Sequence, residues 1–495
     1  MKKSLKILLT AGFLIVCAAL SVAVVAKGQG SASAAKNNDN TLQNSGEFLQ
    51  NDIFLSLLTN KYDAISVPTI FGVQMYGNTG SSSPYYPSMI NSNTSWVRVP
   101  ISWYLIEPVK LNPPEYNWAS VDTFTQAARP DTGGLEFIVT IGGNPGWAAE
   151  HLNGVLDPED VSSYTAFIAA AVERYDGDGI DDANGSPVVN HWEIYNEPDA
   201  GGDSAHIRWG YDGDKYAQLL AAIYPAVKNA NPAAQVVFGG MAYDWFEDNS
   251  GGPFVRGFID DVLSAGGGAY FDVMNFHVYP VFWYNWTNQE SPGLIEKSTF
   301  IKNKLASYGY PNKPILITEA GWHSNSSASI PGDPEDQARY VVELFTQSIA
   351  VGAKTMVWWM LHDSVDNWQY ENGLITNVDH VNPLQPKPSF MAFKTAVSVL
   401  GSATFYRILP DGQTGSSNME AYEMRDNALK RTVYVAWMDP VDTSEVKPLR
   451  VPASVARVRT IYGDSHVVTD GQDGNVDGLV TVSVGGQPVY IEVDW

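Results

Sequence analysis

Eight short apolar runs recur along the chain, separated by polar or amphipathic stretches. Each run is almost continuously apolar and lacks the alternation expected of a strand with one solvent-exposed face. Continuous apolar runs indicate strands buried on both faces, as in a parallel sheet covered by helices. In chain order the runs are TIFGVQM, SWVRVPI, LEFIVTI, VVNHWEIY, QVVFGG, FDVMNFHVY, KPILITE and AKTMVWWML.

Helical periodicity appears between several of these runs. It is clearest in SSYTAFIAAAVERY and DKYAQLLAAIYPAVKNA, and YVVELFTQSIAVGA precedes the last run. Eight strand–helix units in about 350 residues predict a (β/α)8 TIM barrel with inserted loops over residues 52–400. After PKPSFMAFKTAVSVLG the pattern changes to short alternating runs and turn residues, such as TVYVAWMDP. We therefore predict a C-terminal all-β domain over residues 401–495, a β-sandwich beside the barrel.

The N-terminus has the pattern of an export signal. MKKSLK is basic, residues Ile7 to Ala26 are uncharged and mostly apolar, and a small-residue string follows, so 1–34 is expected to be a signal peptide. The apolar run is also long enough to span a bilayer, which makes a retained membrane anchor the alternative. Residues 35–51 are polar and low in complexity, which predicts a disordered linker. The expected location is extracellular, either secreted or anchored at the cell surface.

Composition narrows the range of partners. The chain has 54 acidic and 30 basic residues and a formal charge of −24. Such a surface repels phosphate backbones and polyanions, which argues against nucleic acid and acidic polysaccharides as partners. The single cysteine, Cys17, lies in the leader, so stability outside the cytoplasm has to come from the core rather than from disulfides. The sequence does not indicate an oligomeric state.

Two strand ends carry candidate chemistry. Barrel enzymes place catalytic groups at the C-terminal ends of their strands. The fourth run ends in Asn196-Glu197-Pro198 and the seventh in Glu319. The glutamates are 122 residues apart, close to three repeats of about 44 residues, so they are expected to face each other across the barrel mouth. Acetal hydrolysis requires two such carboxylates, one protonated to expel the leaving oxygen and one ionised to trap the oxocarbenium carbon.

WEIYNEP and ITEAGW resemble the strand-four and strand-seven motifs of glycoside hydrolase clan A, a group of retaining (β/α)8 enzymes. The resemblance extends from FGVQMYG to PKPSFMAF, and a barrel followed by a β-domain is similar to family thirty-nine and to some members of families five and thirty. The resemblance implies that Glu197 is the acid/base, that Glu319 is the nucleophile and that Asn196 donates to the sugar 2-hydroxyl. It implies no cofactor and no metal.

Four further residues match positions around the substrate in this clan. Arg98 in SWVRVP matches the strand-two arginine that supports the nucleophile. His277 and Tyr279 in NFHVYP match the strand-six pair, whose tyrosine sits near the nucleophile, and Trp359 matches the tryptophan that floors the subsite of the attacked sugar. Taken alone, Arg98 could belong to a structural ion pair and His277 could be a hydrogen-bonded core histidine.

The function that the resemblance implies is hydrolysis of β-type O-glycosidic bonds in a neutral oligo- or polysaccharide by double displacement. The alternative is a catalytically inactive carbohydrate-binding or cell-surface adhesion protein on the same barrel, which would not need both glutamates. The pattern leaves open which sugar and linkage are recognised, and whether attack is endo or exo.

A separate motif lies between a predicted helix and the fourth run. In DGDGIDD, residues 176–182, the alternating aspartates resemble calcium-binding loops, because hard oxygens at alternate positions can wrap one ion. The distal glutamate of the full twelve-residue loop is missing. We therefore interpret the motif as a solvated acidic turn, with a calcium-binding loop as the alternative.

Overall fold

The computed structural model describes residues 68–128, 134–201, 207–243, 254–279, 293–325, 332–364, 370–440 and 443–495. The predicted signal or anchor segment 1–34 and the predicted linker 35–51 lie outside these residues, as does the start of the predicted barrel range. Within the described residues, no helix is both long enough and apolar enough to cross a membrane.

Eight parallel strands form a barrel in the order β5-β4-β3-β2-β1-β8-β7-β6. Parallel bridges close the ring between the β5 and β6 segments, where the Phe238 amide donates to the Val273 carbonyl and the His277 amide to the Met241 carbonyl, both at 2.9 Å. The structure thus confirms the predicted barrel. The strands β1 to β8 are Phe71–Gln74, Trp96–Ser102, Glu136–Gly142, His191–Ile194, Gln235–Val237, Met274–Val278, Ile315–Ala320 and Thr355–Trp358.

Helices cover the outside of the barrel. Three of them lie where the periodicity predicted helices: α4 at Val161–Arg174, α5 at Gly213–Ala230 and α8 at Pro334–Ala350. The α8 helix begins at Pro334 because the Asp333 side chain accepts from the amides of Glu335 and Asp336, both at 2.8 Å. The helices α1 to α9 are Tyr86–Asn91, Trp103–Ile106, Ala119–Phe124, Val161–Arg174, Gly213–Ala230, Phe258–Ser264, Leu294–Ser307, Pro334–Ala350 and Pro388–Leu400. Short 3₁₀ turns occupy Pro158–Asp160 and Gly267–Ala269.

The barrel interior is layered. Its lower layer is an apolar cluster of Ile138, Val237, Val273, Leu316 and Val357, with Trp96 packed against it. Because side chains alternate along a strand, the residues two positions further on point into the same interior. Four of these are polar and buried, namely Arg98, Thr140, Asn275 and Thr318, and with the buried Gln74 of β1 they form a second layer directly beneath the barrel mouth.

The C-terminal region is all β apart from a short helix, α10, at Asp411–Thr414. One antiparallel sheet has the order β14-β13-β16-β11-β10-β9, and β12 pairs with β15 in a second sheet. An apolar core that includes Leu449, Val480 and Ile491 lies between the two sheets, as predicted for a sandwich. The strands β9 to β16 are Thr404–Ile408, Met419–Asp426, Arg431–Met438, Lys447–Pro452, Val455–Thr460, Ser465–Thr469, Leu479–Val484 and Val489–Asp494.

The sandwich packs on the barrel helices α8 and α9. Tyr422, Val433 and Trp437 of the six-stranded sheet belong to the same apolar cluster as the barrel core. Two arginines bridge the contact: Arg431 donates to the Val399 carbonyl at 3.0 Å and Arg339 to the Gly486 carbonyl at 3.1 Å. The core is therefore continuous between the two parts.

Candidate active site

Arg98, on β2, is the centre of the polar network beneath the barrel mouth. Its side chain is 2% exposed, and all five of its N–H donors have an acceptor. Nε donates to Glu193 at 2.7 Å and Nη2 to Glu193 at 2.9 Å and to the Asn196 Oδ1 at 2.7 Å. Nη1 donates to Gln74 at 3.0 Å and to Glu319 at 2.5 Å. One guanidinium therefore links β1, β2, β4 and β7.

Glu193, on β4, anchors this arginine from below. It is fully buried and also accepts from the Thr140 hydroxyl at 2.8 Å, the Gly240 amide at 3.0 Å and the Thr318 hydroxyl at 3.3 Å. Burial acts to raise the pKa of Glu193, but the charge and hydrogen bonds of Arg98, together with the Thr140 hydroxyl, outweigh it and hold the pKa below its ordinary value. Glu193 is therefore ionised and neutralises Arg98.

The end of β4 is bent, and this bend aims Glu197 into the mouth. Tyr195 and Glu197 both adopt left-handed backbone conformations, with φ of 60° and 49°. Such conformations cost about 1–3 kcal/mol each for non-glycine residues and persist only where the surroundings enforce them. The Tyr195 ring packs 5.3 Å from Trp209, and its hydroxyl donates to the Asn144 Oδ1 at 2.6 Å. These contacts hold the bend in place.

On β7, two consecutive side chains contribute to the network. The strand register shifts between Ile317 and Ala320, so Thr318 and Glu319 both reach interior partners. The Tyr279 hydroxyl donates to the Glu319 Oε2 at 2.7 Å, while Arg98 holds Oε1. Burial and the Glu319 charge raise the pKa of Tyr279 well above its ordinary value, so the phenol stays protonated and remains a donor.

Glu197 and Glu319 lie close together with His277 beside them. One ligating atom from each of the three residues falls within 4.8 Å of the others, which places oxygens of the two glutamates within that distance. The His277 Nδ1 is 3.1 Å from Glu197, and its Nε2 is 3.1 Å from the Thr318 hydroxyl. Burial lowers the pKa of His277 to about 4, so the imidazole is neutral at neutral pH. These groups could in principle surround a cation, but Arg98 and Tyr279 already occupy both Glu319 oxygens.

A cavity of about 120 Å3 opens above the network. Trp359, directly after β8, forms part of its wall, and the Trp359 Nε1 donates to the Tyr76 hydroxyl at 2.8 Å. The Tyr279 and Trp359 rings meet edge to face at 6.0 Å. Polar and charged side chains on the cavity wall are Gln74, Tyr76, Arg98, Ser102, Ser120, Thr140, Asn153, Asn196, Arg208 and Glu319.

Of the seven sequence-predicted site residues, four line this cavity: Arg98, Asn196, Glu319 and Trp359. The other three lie in the adjoining network, where Tyr279 contacts Glu319 and Trp359, and His277 contacts Glu197. The catalytic and binding roles of all seven stay predictions. Because the Asn196 Oδ1 accepts from Arg98, its amide Nδ2 is the donor left for the cavity that Asn196 lines. Sequence reasoning missed Glu193, Tyr76 and Arg208. The signal for Glu193 was present, since a charged residue in the middle of the buried run HWEIY requires a buried partner.

The aspartate loop also converges in space. Carboxylate oxygens of Asp176, Asp178 and Asp182 lie within 4.8 Å of one another. Amides of the same loop donate to all three, for example Ile180 to Asp178 at 2.8 Å and Gly179 to Asp182 at 3.0 Å. The loop is therefore held by its own hydrogen bonds, and both interpretations of the motif remain compatible with its geometry.

Comparison with solved structures places the fold among glycoside hydrolases. A family 39 glycoside hydrolase from Bacteroides cellulosilyticus WH2 aligns with a TM-score of 0.65 and 22% identity, covering 88% of this chain and 82% of that chain. A family 30 endoxylanase from Clostridium papyrosolvens C71 aligns with a TM-score of 0.57 and 12% identity, covering 87% of this chain and 97% of that chain. The resemblance to clan A is thus confirmed for the fold, a barrel with an attached β-domain.

Comparison of sequences finds similarity over a smaller part of the chain than comparison of structures does. No protein-family model matches the chain. A probable mannan endo-1,4-β-mannosidase C from Aspergillus terreus is 25% identical over 256 residues, which cover 48% of this chain and 53% of that protein. The chain therefore spans about half the length of this relative.

Proposed function

We propose that the protein is a retaining glycoside hydrolase in which Glu319 is the nucleophile and Glu197 the acid/base. The observation that carries the proposal is the approach of their carboxylate oxygens to within 4.8 Å at the barrel mouth. Retaining enzymes hold the two carboxyl groups about 5–5.5 Å apart, whereas inverting enzymes leave about 6.5–9.5 Å for a water molecule. The two carboxyl groups are too close to leave room for the water molecule that a single-displacement mechanism requires.

The hydrogen bonds support different protonation states for the two glutamates. Thr318 has a single hydroxyl proton, and the ionised Glu193 is its stronger acceptor. The His277 Nε2 then donates to Thr318, so in the neutral imidazole Nδ1 is an acceptor. In this tautomer, the partner Glu197 supplies the proton of that bond. This assignment makes Glu197 a neutral acid, while Arg98 and Tyr279 both donate to Glu319 as a carboxylate acceptor.

In the proposed reaction, Glu319 attacks the anomeric carbon while Glu197 transfers its proton to the departing glycosidic oxygen. When Oε1 or Oε2 of Glu319 bonds to the anomeric carbon, that oxygen would lose the hydrogen bond that it now accepts from Arg98 or Tyr279. In the second step the Glu197 carboxylate takes a proton from water, and that water displaces Glu319 to restore the original anomeric configuration. Asn196 is positioned to donate from Nδ2 to a hydroxyl next to the reacting carbon.

For the substrate we propose a β-linked glycan with a largely neutral backbone. The chain's charge of −24 disfavours binding of a polyanion. Trp359 offers the cavity an aromatic side chain against which the C–H face of a sugar can stack. Because the names of similar proteins include an endoxylanase and a mannan endo-1,4-β-mannosidase, xylan and mannan are the first substrates to test.

We also propose that the protein is exported and acts outside the cytoplasm. The proposal rests on the basic, apolar and small-residue pattern of residues 1–34. N-terminal sequencing of protein recovered from the medium and from membranes would distinguish a cleaved leader from a retained anchor.

The decisive experiment uses chemical rescue of the two alanine variants. Glu319→Ala should lose at least about 10³-fold in turnover of an aryl β-glycoside, and azide should restore turnover with an α-configured azide product. Glu197→Ala should still form the glycosyl-enzyme from a substrate with a good leaving group, and azide should then give the β-configured product. The opposite product configurations identify which glutamate is the nucleophile.

Two outcomes would contradict the proposal. Wild-type-like turnover by Glu319→Ala would remove its catalytic role. Calorimetric binding of xylan or mannan oligosaccharides by the wild type, with no cleavage of any glycan or aryl glycoside, would favour the inactive carbohydrate-binding alternative.

A further inference from the structure

Arg98 and Arg208 both line the cavity, but they differ in whether their N–H donors have acceptors in the protein. Arg98 has an acceptor for each of its five N–H donors. Arg208, in the segment after β4, is 7% exposed and lines the same cavity as Glu319, Asn196 and Trp359. Within the described part of the chain its guanidinium has no hydrogen-bond or ion-pair partner.

The backbone that carries Arg208 is tightly held. Trp209 is buried between Tyr195 and Tyr216, with ring centroids 5.3 and 5.6 Å away. The Gly210 amide donates to the Ala200 carbonyl at 3.0 Å, and a Cβ at Gly210 would meet backbone atoms at 2.6–2.7 Å. These contacts anchor the residues next to Arg208, so the side chain starts from a fixed position at the cavity wall.

A guanidinium on the cavity wall with no acceptor among the described residues has its donors available to a bound ligand. Glu319 lines the same cavity but already accepts from Arg98 and Tyr279. A ligand bound in the cavity can supply a charged acceptor for Arg208. We propose that Arg208 forms a subsite for a carboxylate-bearing sugar, such as a uronate residue or side group, at or next to the bond that is cleaved.

This inference rests on the proposed glycosidase function and narrows its substrate. A strongly acidic chain disfavours a continuous polyanion, whereas one guanidinium facing the cavity favours one local negative charge. Both features fit a neutral backbone that carries isolated uronate groups. The planar fork of the guanidinium also matches a carboxylate in bidentate geometry, which a single neutral hydroxyl does not provide.

The test compares a carboxylate-bearing polysaccharide with a neutral partner that has the same backbone. Glucuronoxylan is paired with its carboxyl-reduced form, and mannan partly oxidised at C6 is paired with untreated mannan. We expect the wild type to show a kcat/KM about tenfold or more higher on the carboxylate-bearing member of the pair it cleaves. Arg208→Gln should bring this ratio close to one, and Arg208→Lys should retain part of it. Arg450→Gln, which removes an exposed arginine of the sandwich, is the matched control and should leave the ratio unchanged.

A thermal melt separates this role from a structural one. Because Arg208 has no hydrogen-bond or ion-pair partner among the described residues, Arg208→Gln should leave the Tm unchanged or raise it. A Tm several degrees lower, with an unchanged substrate ratio, would overturn the inference. So would equal wild-type kcat/KM on both members of the pair that is cleaved.

Binding measurements keep the inference distinguishable from the proposed function. If the wild type cleaves nothing, the proposed function fails, and calorimetry with a xylo-oligosaccharide bearing one glucuronate then decides the inference alone. Tighter binding of this probe than of its carboxyl-reduced form, lost in Arg208→Gln, would support the carboxylate subsite. Equal affinities for the two probes would overturn it.

Discussion

At the scale of single residues, Arg98 shows how one guanidinium holds the side chains of Glu193 and Glu319 in the same polar layer. Glu193 and Arg98 form a bidentate pair that is entirely buried, and the same guanidinium reaches Glu319 at 2.5 Å. Glu193 is therefore the counter-charge that keeps Arg98 in place, and Arg98 in turn orients Glu319. The sequence suggested two roles for Arg98, support of the predicted nucleophile and a structural ion pair. Arg98 makes the contacts that both roles require, one with Glu319 and one with Glu193.

Removing Arg98 should be strongly destabilising. Arg98→Met leaves Glu193 buried without its cation, and such losses typically cost about 3–5 kcal/mol. Urea denaturation of the variant should show a decrease of this size in the free energy of unfolding.

The double variant Arg98→Met/Glu193→Gln provides the control. The double variant also removes the Glu193 charge that Arg98→Met leaves without its cation. It should therefore recover part of the lost free energy of unfolding, because the two sites are coupled. A single variant within 1 kcal/mol of the wild type would show that the buried pair does not hold this layer together.

At the scale of secondary-structure elements, close approach between neighbouring strands positions His277. The segment after β5 passes directly over this ring, and a Cβ placed on Gly240 would lie 1.9 Å from the His277 Nε2. The Gly240 amide also donates to Glu193 at 3.0 Å. Only a glycine allows the chain to make this hydrogen bond and still leave room for the imidazole that contacts Glu197.

Gly240→Ala should therefore push His277 away from Glu197. We expect a loss of about 1–3 kcal/mol in stability from overpacking and a decrease in kcat larger than the increase in KM. Gly412→Ala, in the short helix α10, is the matched control, since an added Cβ there meets no atom within 4 Å. Equal effects of the two substitutions on kcat would contradict the positioning role of Gly240.

The same elements show what sequence alone could and could not provide. Continuous apolar runs predicted eight buried strands, and strand-end counting placed Glu197 and Glu319 at one mouth, because both follow from periodicity and barrel symmetry. The left-handed backbone at Glu197, the shift in register on β7 and the contact between Gly240 and His277 depend on packing between distant segments. Such features have no local signature. That Arg208 has no partner in the described part of the chain is likewise visible only when the surrounding side chains are placed.

At the scale of the whole molecule, the contact between barrel and sandwich buries acidic groups. Glu343 of α8 is 3% exposed, and Glu420 of β10 accepts from Gln347 at 3.3 Å and from the Tyr422 hydroxyl. Burial, followed by repulsion from Asp439, raises the pKa of Glu420 to about 8 and the pKa of Glu343 well above its ordinary value. Both acids are therefore held in the neutral form at this contact.

This arrangement gives stability a definite dependence on pH. An acid whose pKa is raised in the folded state contributes its full stability below the unfolded value, about 4.5 for Glu420, and loses it as pH rises through about 8. In that window the unfolded chain releases the proton while the folded chain must keep it. The contact between the two parts should therefore weaken from mildly acidic to mildly alkaline pH.

The variant Glu420→Gln tests this directly, because an amide imitates the neutral acid and cannot ionise. Between pH 5 and pH 8.5 the wild type should lose more stability than the variant, by more than about 1 kcal/mol, as followed by urea denaturation at each pH. Glu445→Gln, which alters an acid with 39% of its side chain exposed, should keep the wild-type slope. Parallel pH profiles for wild type and Glu420→Gln would mean that Glu420 is already ionised in the folded state, and that the contact tolerates its charge.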